Sequence, residues 1–417
     1  MYIAITSCPA GHMRASTVLS RLLVFLLASA EHVQAAPTDA PRASCVSNRD
    51  CNYAGRCAHG RLGASACLCD IGWGGETCQR IVFGASRRCG QGGLCLAGQQ
   101  GFTSTWGGEA VRADDGSYHI YAAGFDHNSS LSAWLHQSRV VHGRSAHDPL
   151  GPYELLDVAL GARSLAHWDG LTQHNPAVQR APDGTYLLFY MGSTESPGGA
   201  AHPGVLSCTK FPSMNISVCR QRVGLATASS PDGPWTRRDA PIVDVGPAGA
   251  WDDLFTTNPT PHVFANGSVL LLYKARSKED PSKMSTGVAF ADHWDGPYKR
   301  IVSHPVPVSG SCEDAGIYYS EVVGVFRMIL HCGCNYQYLW SLDGLNWERT
   351  TPQVAWCNVT YVDGSREMLA RRERPKWIVD DKGRPLGLLT GVFPTVSHGA
   401  ASFTMATEIL PDDSHLR

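Results

Sequence analysis

Four carboxylates in the 417-residue chain fall where chemistry would gather them: Glu109, Glu313, Asp314 and Glu373. Each opens a stretch that runs into a strand and a tight turn. Equivalent places in the chain carry Trp106, His174, Asn175, Asn258, Arg372 and Arg374. Carboxylates, Asn, His, Arg and Trp drawn into one concavity are the groups that recognise a sugar. Trp offers a flat apolar face and the others bond hydroxyls. Two carboxylates of unlike pKa add the means to cleave a glycosidic bond. In that chemistry Asp314 or Glu313 is the base and Glu373 the acid. Arg372 and Arg374 would depress carboxylates beside them, which argues against Glu373 as the acid and for it as half of an ion pair.

The elements that must position these residues recur. HNPAVQRAPDGTYLLFYMG from His174 reads as a strand, an Asp-Gly hairpin turn and a second strand rich in aromatic and branched residues. The plan returns at Asn258, at Gly107, at Glu313 and at Glu373, making five copies. A Pro- or Gly-centred turn closed by an aromatic residue follows the first four, at Tyr153, Trp235, Tyr298 and Trp347. The hairpin glycines fall at 116, 184, 267, 324 and 383, in steps of 68, 83, 57 and 59 residues. This spacing suits four-stranded blades with variable loops and predicts an all-β, five-bladed propeller over 103–410. In a propeller the inner strands start at the central channel, so their first residues converge. Trp168, Asp169, Trp251, Asp252, Asp253 and Arg371 lie near those starts as well.

Residues 1–36 read as a secretory signal: Arg14 and Arg21, then the apolar core LLVFLLASA, then small residues before a cut after Ala35 or Ala36. No other long apolar run is present, so no membrane span is expected in the mature chain. Fifteen cysteines less Cys8 leave an even 14, and four N-glycosylation sequons stand at Asn128, Asn215, Asn266 and Asn358. Both fit a secreted protein. Net charge is −2, with no basic face for nucleic acid. No cofactor and no metal are expected. Cys332-x-Cys334 lacks a second close Cys/His pair, and in an oxidising compartment Cys312, Cys332, Cys334 and Cys357 pair among themselves. Cys208 pairs with Cys219 across an insertion, and Cys89 with Cys95 in a linker over 79–102.

Residues 45–78 hold six cysteines separated by 5, 5, 9, 1 and 8 residues, a set that permits 15 pairings. The ending C-x-C, Gly72-Trp73-Gly74-Gly75 and a last Cys resembles an epidermal-growth-factor-like module. The resemblance implies Cys45–Cys57, Cys51–Cys67 and Cys69–Cys78, bridges that substitute for a core in so small a piece. Pro41-Arg42-Ala43-Ser44 precedes the first Cys in place of the acidic residues of calcium-binding members, so no calcium is expected. A spacer or adhesion role outweighs receptor signalling.

The segments HNP…DGTYLLFYMG, TNPTP…NGSVLLLYKAR, the Glu-Asp opening at 313 and RRERP resemble the five-bladed propeller of glycoside hydrolase family 43, the arabinanase and xylosidase group. The resemblance implies acid/base hydrolysis of a cell-wall or matrix polysaccharide. It also implies a base Asp, a pKa-tuning Asp and an acid Glu in the first three blades. The chain departs from that set. Blade one opens Trp106-Gly107-Gly108-Glu109, blade two His174-Asn175-Pro176 and blade three Asn258-Pro259. The alternative is a catalytically silent carbohydrate-binding propeller, or one that binds protein. Two carboxylates about 5–9.5 Å apart in an open funnel favour hydrolysis. Carboxylates all closed onto Arg favour recognition. Asn-Pro at 175 and 258 reads equally as a device shaping a strand, and His174 as a bonded wall residue.

Overall fold

The computed structural model describes residues 44–59, 65–87, 104–197, 204–301, 305–306, 312–350, 353–380, 382–394 and 402–410. The signal expected over 1–36 and the Cys89–Cys95 loop lie outside the described residues.

Five antiparallel sheets form five blades. Their inner strands are Thr105–Arg112, Thr172–Arg180, Phe255–Val263, Glu313–Ser320 and Arg366–Val379. Each inner strand turns back through a hairpin whose glycine has positive φ: Gly116, Gly184, Gly267, Gly324 and Gly383. A side chain there would strain the backbone, which is why glycine punctuates all five copies. Second strands are buried almost throughout; Tyr186–Ser193 and Val325–Cys332 have no exposed position. They lie between sheet neighbours and facing blades, so they read as apolar runs rather than alternation.

The aromatic turns close the blades. Tyr153 and Tyr298 donate their hydroxyls to the carbonyls of Pro149 and Trp294, 2.7 and 2.8 Å away. Trp347 Nε1 donates to Gly344 O at 2.9 Å. Blades two and three share a further lock. Asp169 accepts from Tyr190 and Arg163 at 2.8 and 2.6 Å. Asp252 accepts from Tyr273 and Arg300 at 3.0 and 2.7 Å. Trp168 and Trp251 stack on those tyrosines. Each of these two carboxylates braces its own blade, and both lie outside the funnel.

The fifth copy lacks an aromatic turn because its outer strand comes from elsewhere. Phe83–Arg87, within the stretch expected to be a linker, pairs antiparallel with Phe403–Ile409 and completes blade five. The amino-terminal side of the propeller is thereby laced to its carboxyl-terminal strand. The cysteine-rich segment ahead of it is joined by Cys45–Cys57, Cys51–Cys67 and Cys69–Cys78, and it packs on blade four. Trp73 is fully buried there, donates to Tyr318 Oη at 3.3 Å and packs at a tilt against Tyr338. Arg327, buried in blade four, lies over Trp73 and pairs with Asp70. Farther on, the bridges Cys208–Cys219, Cys312–Cys332 and Cys334–Cys357 fix loops of the propeller. Among the described residues no helix is long and apolar enough to cross a membrane.

Candidate functional site

The five inner strands break their ladders at one equivalent point. The register slips between Trp106 and Glu109, His174 and Ala177, Thr257 and Thr260, Glu313 and Gly316, and Glu373 and Lys376. At each bulge the equivalent residue adopts positive φ: Gly107 (57°), Asn175 (49°), Asn258 (53°), Asp314 (57°) and Arg374 (58°); in blade one Gly108 does so as well. Glycine and Asn tolerate this conformation and Asp does so less readily, whereas Arg is an uncommon occupant. Proline follows three of them, at 176, 259 and 375, where the bulge frees the backbone from donating to the ladder.

The bulges turn these side chains toward the axis, where they form a ring. Asn175 Nδ2 donates to Asn258 Oδ1 at 2.7 Å, and Asn258 Nδ2 donates to Asp314 Oδ1. Arg374 Nη1 lies 3.8 Å from Asp314 Oδ1, and its Nη2 donates to Asn175 O at 3.3 Å. Gly107 completes the circle without a side chain. A Cβ there would stand 3.1 Å from Arg374 Cβ, so the glycine leaves room for the guanidinium.

Above the ring opens a funnel of about 480 Å³. Its floor is Asn175, Asn258 and Asp314, and its walls include Trp106, Trp134, His174, Glu313, Arg371 and Glu373. Three carboxylates therefore meet here, and each is closed onto cations. Glu313 lies 2.5 Å from Lys274 Nζ and 3.5 Å from His331 Nε2. Asp314 lies 3.2 Å from Lys274 and 3.8 Å from His331 Nδ1. Glu373 takes a two-pronged bond from Arg371, 2.6 Å from Nε and 2.9 Å from Nη2. Burial alone would raise the Glu313 and Asp314 carboxyls. The Lys274 ammonium outweighs it, helped by His331 at both and by Arg374 at Asp314, and holds both below the usual range. Burial pulls His331 down, but its bond to Glu313 and the charges of Asp314 and Glu373 overcome this and raise it. His174 is pushed down to about 3, first by burial and then by Arg374, so it is neutral. It shares a 2.7 Å bond with Ser138 and lies against Trp134.

Asp314, His331 and Glu373 offer donor atoms within 4.8 Å of one another, a spacing a cation could use. Lys274, Arg371 and Arg374 already neutralise those carboxylates, so the set is poorly suited to a metal ion.

Of the residues expected at the site, Trp106, His174, Asn175, Asn258, Glu313, Asp314, Glu373 and Arg374 do converge at the funnel or its ring. Two do not. Arg372 points to the other side of its strand from Arg371 and Glu373. It is buried between Phe83 and Trp356 and donates to Trp356 O and Thr407 Oγ1 at 2.9 and 2.8 Å. Glu109 lies one layer beneath the ring, because it stands beyond the bulge. It accepts from Val178 N at 3.0 Å and Gln179 Nε2 at 3.2 Å, and burial raises its carboxyl against the pull of Lys376 and Arg374. Lys376, its counterpart from blade five, is lowered to about 7, chiefly by burial. Trp106 also differs in detail: it is buried, with Arg371 over its ring, so Trp134 is the wall tryptophan nearer solvent.

Sequence reasoning passed over Lys274, His331 and Trp134. Lys274 and His331 stand opposite Thr257 and Glu313 in register, just before each bulge. Their signal was a charged residue closing an apolar run, VLLLYK and FRMILH.

No family model and no curated protein matches the chain. Solved structures do. Zg3597, a family 117 glycoside hydrolase produced by the marine bacterium Zobellia galactanivorans, is 17% identical with a TM-score of 0.54 over 80% of this chain and 92% of that one. The catalytic domain of the Coprinopsis cinerea GH62 α-L-arabinofuranosidase is 11% identical, TM-score 0.50, over 78% and 96%. The α-L-arabinofuranosidase PaAbf62A of Podospora anserina is 10% identical, TM-score 0.50, over 79% and 97%. The chain has the propeller fold of glycoside hydrolases. At these identities the likeness is one of fold.

Proposed function

We propose that the chain is a carbohydrate-binding propeller on a glycoside-hydrolase fold, and that the funnel above the ring is where the glycan sits. One observation carries this reading: all three funnel carboxylates are closed onto Lys274, Arg371 or Arg374. Hydrolysis needs a carboxylic acid that keeps its proton near neutral pH. Among the described residues the carboxyl raised by its surroundings is Glu109, which is buried beneath the ring and bonded to backbone. Ion-paired carboxylates and amides, with Trp134 beside them, suit hydroxyl recognition and stacking instead. Affinity electrophoresis through arabinan, xylan, fructan and mannan tests the reading. One polymer should retard the wild type, and Glu373→Gln and Trp134→Ala should each weaken that binding tenfold or more. A folded wild type that no polymer retards would overturn it.

A second reading rests on Arg371, whose side chain is half exposed. A sugar that drew Arg371 aside would free Glu373 to act as acid opposite Asp314 or Glu313, giving hydrolysis of a matrix polysaccharide. We read residues 45–78 as an epidermal-growth-factor-like module that clamps blades four and five, and residues 1–36 as a cleaved secretory signal. Six bridges among the described residues support an oxidising compartment. Amino-terminal sequencing of the exported protein should begin at Ala36 or Pro37; a retained Met1 would contradict the signal.

A further inference from the structure

At the hairpin-turn end of blade one, away from the funnel, two buried histidines face each other. His119 lies on the second strand, Tyr118–Phe125, and His142 on the third, Ser138–Ser145. His119 Nδ1 and His142 Nε2 are 2.8 Å apart. Asp232, from the turn that closes blade two, brings Oδ1 to 3.8 Å from the same His119 Nδ1. The three donor atoms all lie within 4.8 Å of one another.

What these rings face on their far sides decides their protonation. His119 Nε2 is 3.1 Å from Ser117 Oγ, and that hydroxyl donates to Asp115 at 2.6 Å. Ser117 therefore has only a lone pair to offer, and His119 Nε2 must carry the proton. His142 Nδ1 faces Asp157 Oδ1 at 3.3 Å, outside hydrogen-bond geometry, and the negative charge of that carboxylate favours a proton on this nitrogen. Both nitrogens that meet at 2.8 Å are then bare lone pairs, with a carboxylate beside them. Three acceptors converge with no proton left to join them.

We propose that His119, His142 and Asp232 bind one divalent transition-metal ion of the zinc class across the seam of blades one and two. Two imidazoles and a carboxylate, leaving a position for water, are a donor set zinc takes. Zn–N bonds of about 2.0–2.1 Å in tetrahedral geometry need the two nitrogens about 3.3 Å apart, an opening of about half an ångström. His119 has its other nitrogen tied to Asp115 through Ser117, as ligand histidines do, and the other nitrogen of His142 faces Asp157. The stack of Tyr121 on His142 and the bond from Tyr121 Oη to Pro231 O hold the rings and the Asp232 turn in place. Asp232 is mostly exposed and gives the ion its route in. The metal would fasten blade one to blade two without touching the funnel, so this site stands independently of the carbohydrate reading.

The test is calorimetric titration of the full chain, stripped with chelator and dialysed, with zinc chloride, using calcium chloride as a hard-ion control. One zinc per chain is expected, with no heat from calcium and a melting temperature that rises with zinc. Asp232→Ala removes an exposed ligand, should leave the metal-free melting temperature unchanged, and should weaken zinc at least tenfold; His119→Gln should weaken zinc at least tenfold as well. Failure of the wild type to bind zinc at micromolar concentration overturns the proposal. So does zinc binding of equal strength in Asp232→Ala, which would place the ion elsewhere.

Discussion

The ring has two unlike sides built on one backbone. Blades two and three place Asn175 and Asn258 at the bulge, joined amide to amide. Blades four and five place Asp314 and Arg374 at the same bulge with the same positive φ, joined charge to charge. The bulge decides where a side chain goes, and residue type decides what it does there. On the amide side the ring is neutral, with Asn175 Oδ1 left without a hydrogen-bond partner. On the charged side it gathers Lys274, His331, Glu313 and Glu373 around it, and whatever the funnel does is concentrated there.

Breaking the charged side should cost most. Arg374→Met leaves the buried Asp314 on the funnel floor short of one partner, and removing half of a buried pair costs about 3–5 kcal/mol. Urea unfolding would show it, and a loss under ~1 kcal/mol would mean Lys274 alone suffices. On the amide side, Asn258→Ala removes the bonds to Asn175 and Asp314 and replaces a residue that tolerates positive φ by one that does so less readily, for a loss of about 2 kcal/mol. Asn258→Gly keeps the backbone relaxed and should recover about half of it. If the two variants are equal, the bulge is not strained. Gly107→Ala sharpens the contrast from blade one, where a Cβ would press on Arg374; about 1 kcal/mol is expected in thermal melts.

The smallest effect is in pH. His331 is raised when folded, so its contribution is fully present below its unfolded value of about 6.5 and fades as pH rises through the folded one. Glu313 and Asp314 are lowered, so theirs is present above about 4 and fades as pH falls. The urea midpoint of wild type relative to His331→Gln should therefore decline from pH 6 to 9. A flat difference would show that the carboxylates do not hold His331 charged.

Much of this was legible in the chain. The hairpin glycines and aromatic turns marked the blades, and the strand openings marked the funnel, because both are local signals of backbone conformation. Four features were not. The outer strand at 83–87 is short, and its partner lies more than 300 residues away, so nothing local announces it. Arg372 and Arg374 look alike at i and i+2. The bulge turns Arg374 to the axis while Arg372 stays buried against Trp356 and Phe83. Glu109 falls beyond the same bulge in blade one and so drops a layer. Lys274 and His331 depend on cross-strand register, which a single strand's sequence does not carry.

The funnel should grip a glycan without cleaving it. The measurement that tests it most directly is reducing-end release over time from whichever polymer retards the protein, for wild type beside Glu313→Gln, Asp314→Asn and Glu373→Gln. No release is expected from any of them, with binding in the wild type intact. Release by the wild type that these substitutions abolish would contradict it and make the same carboxylates catalytic.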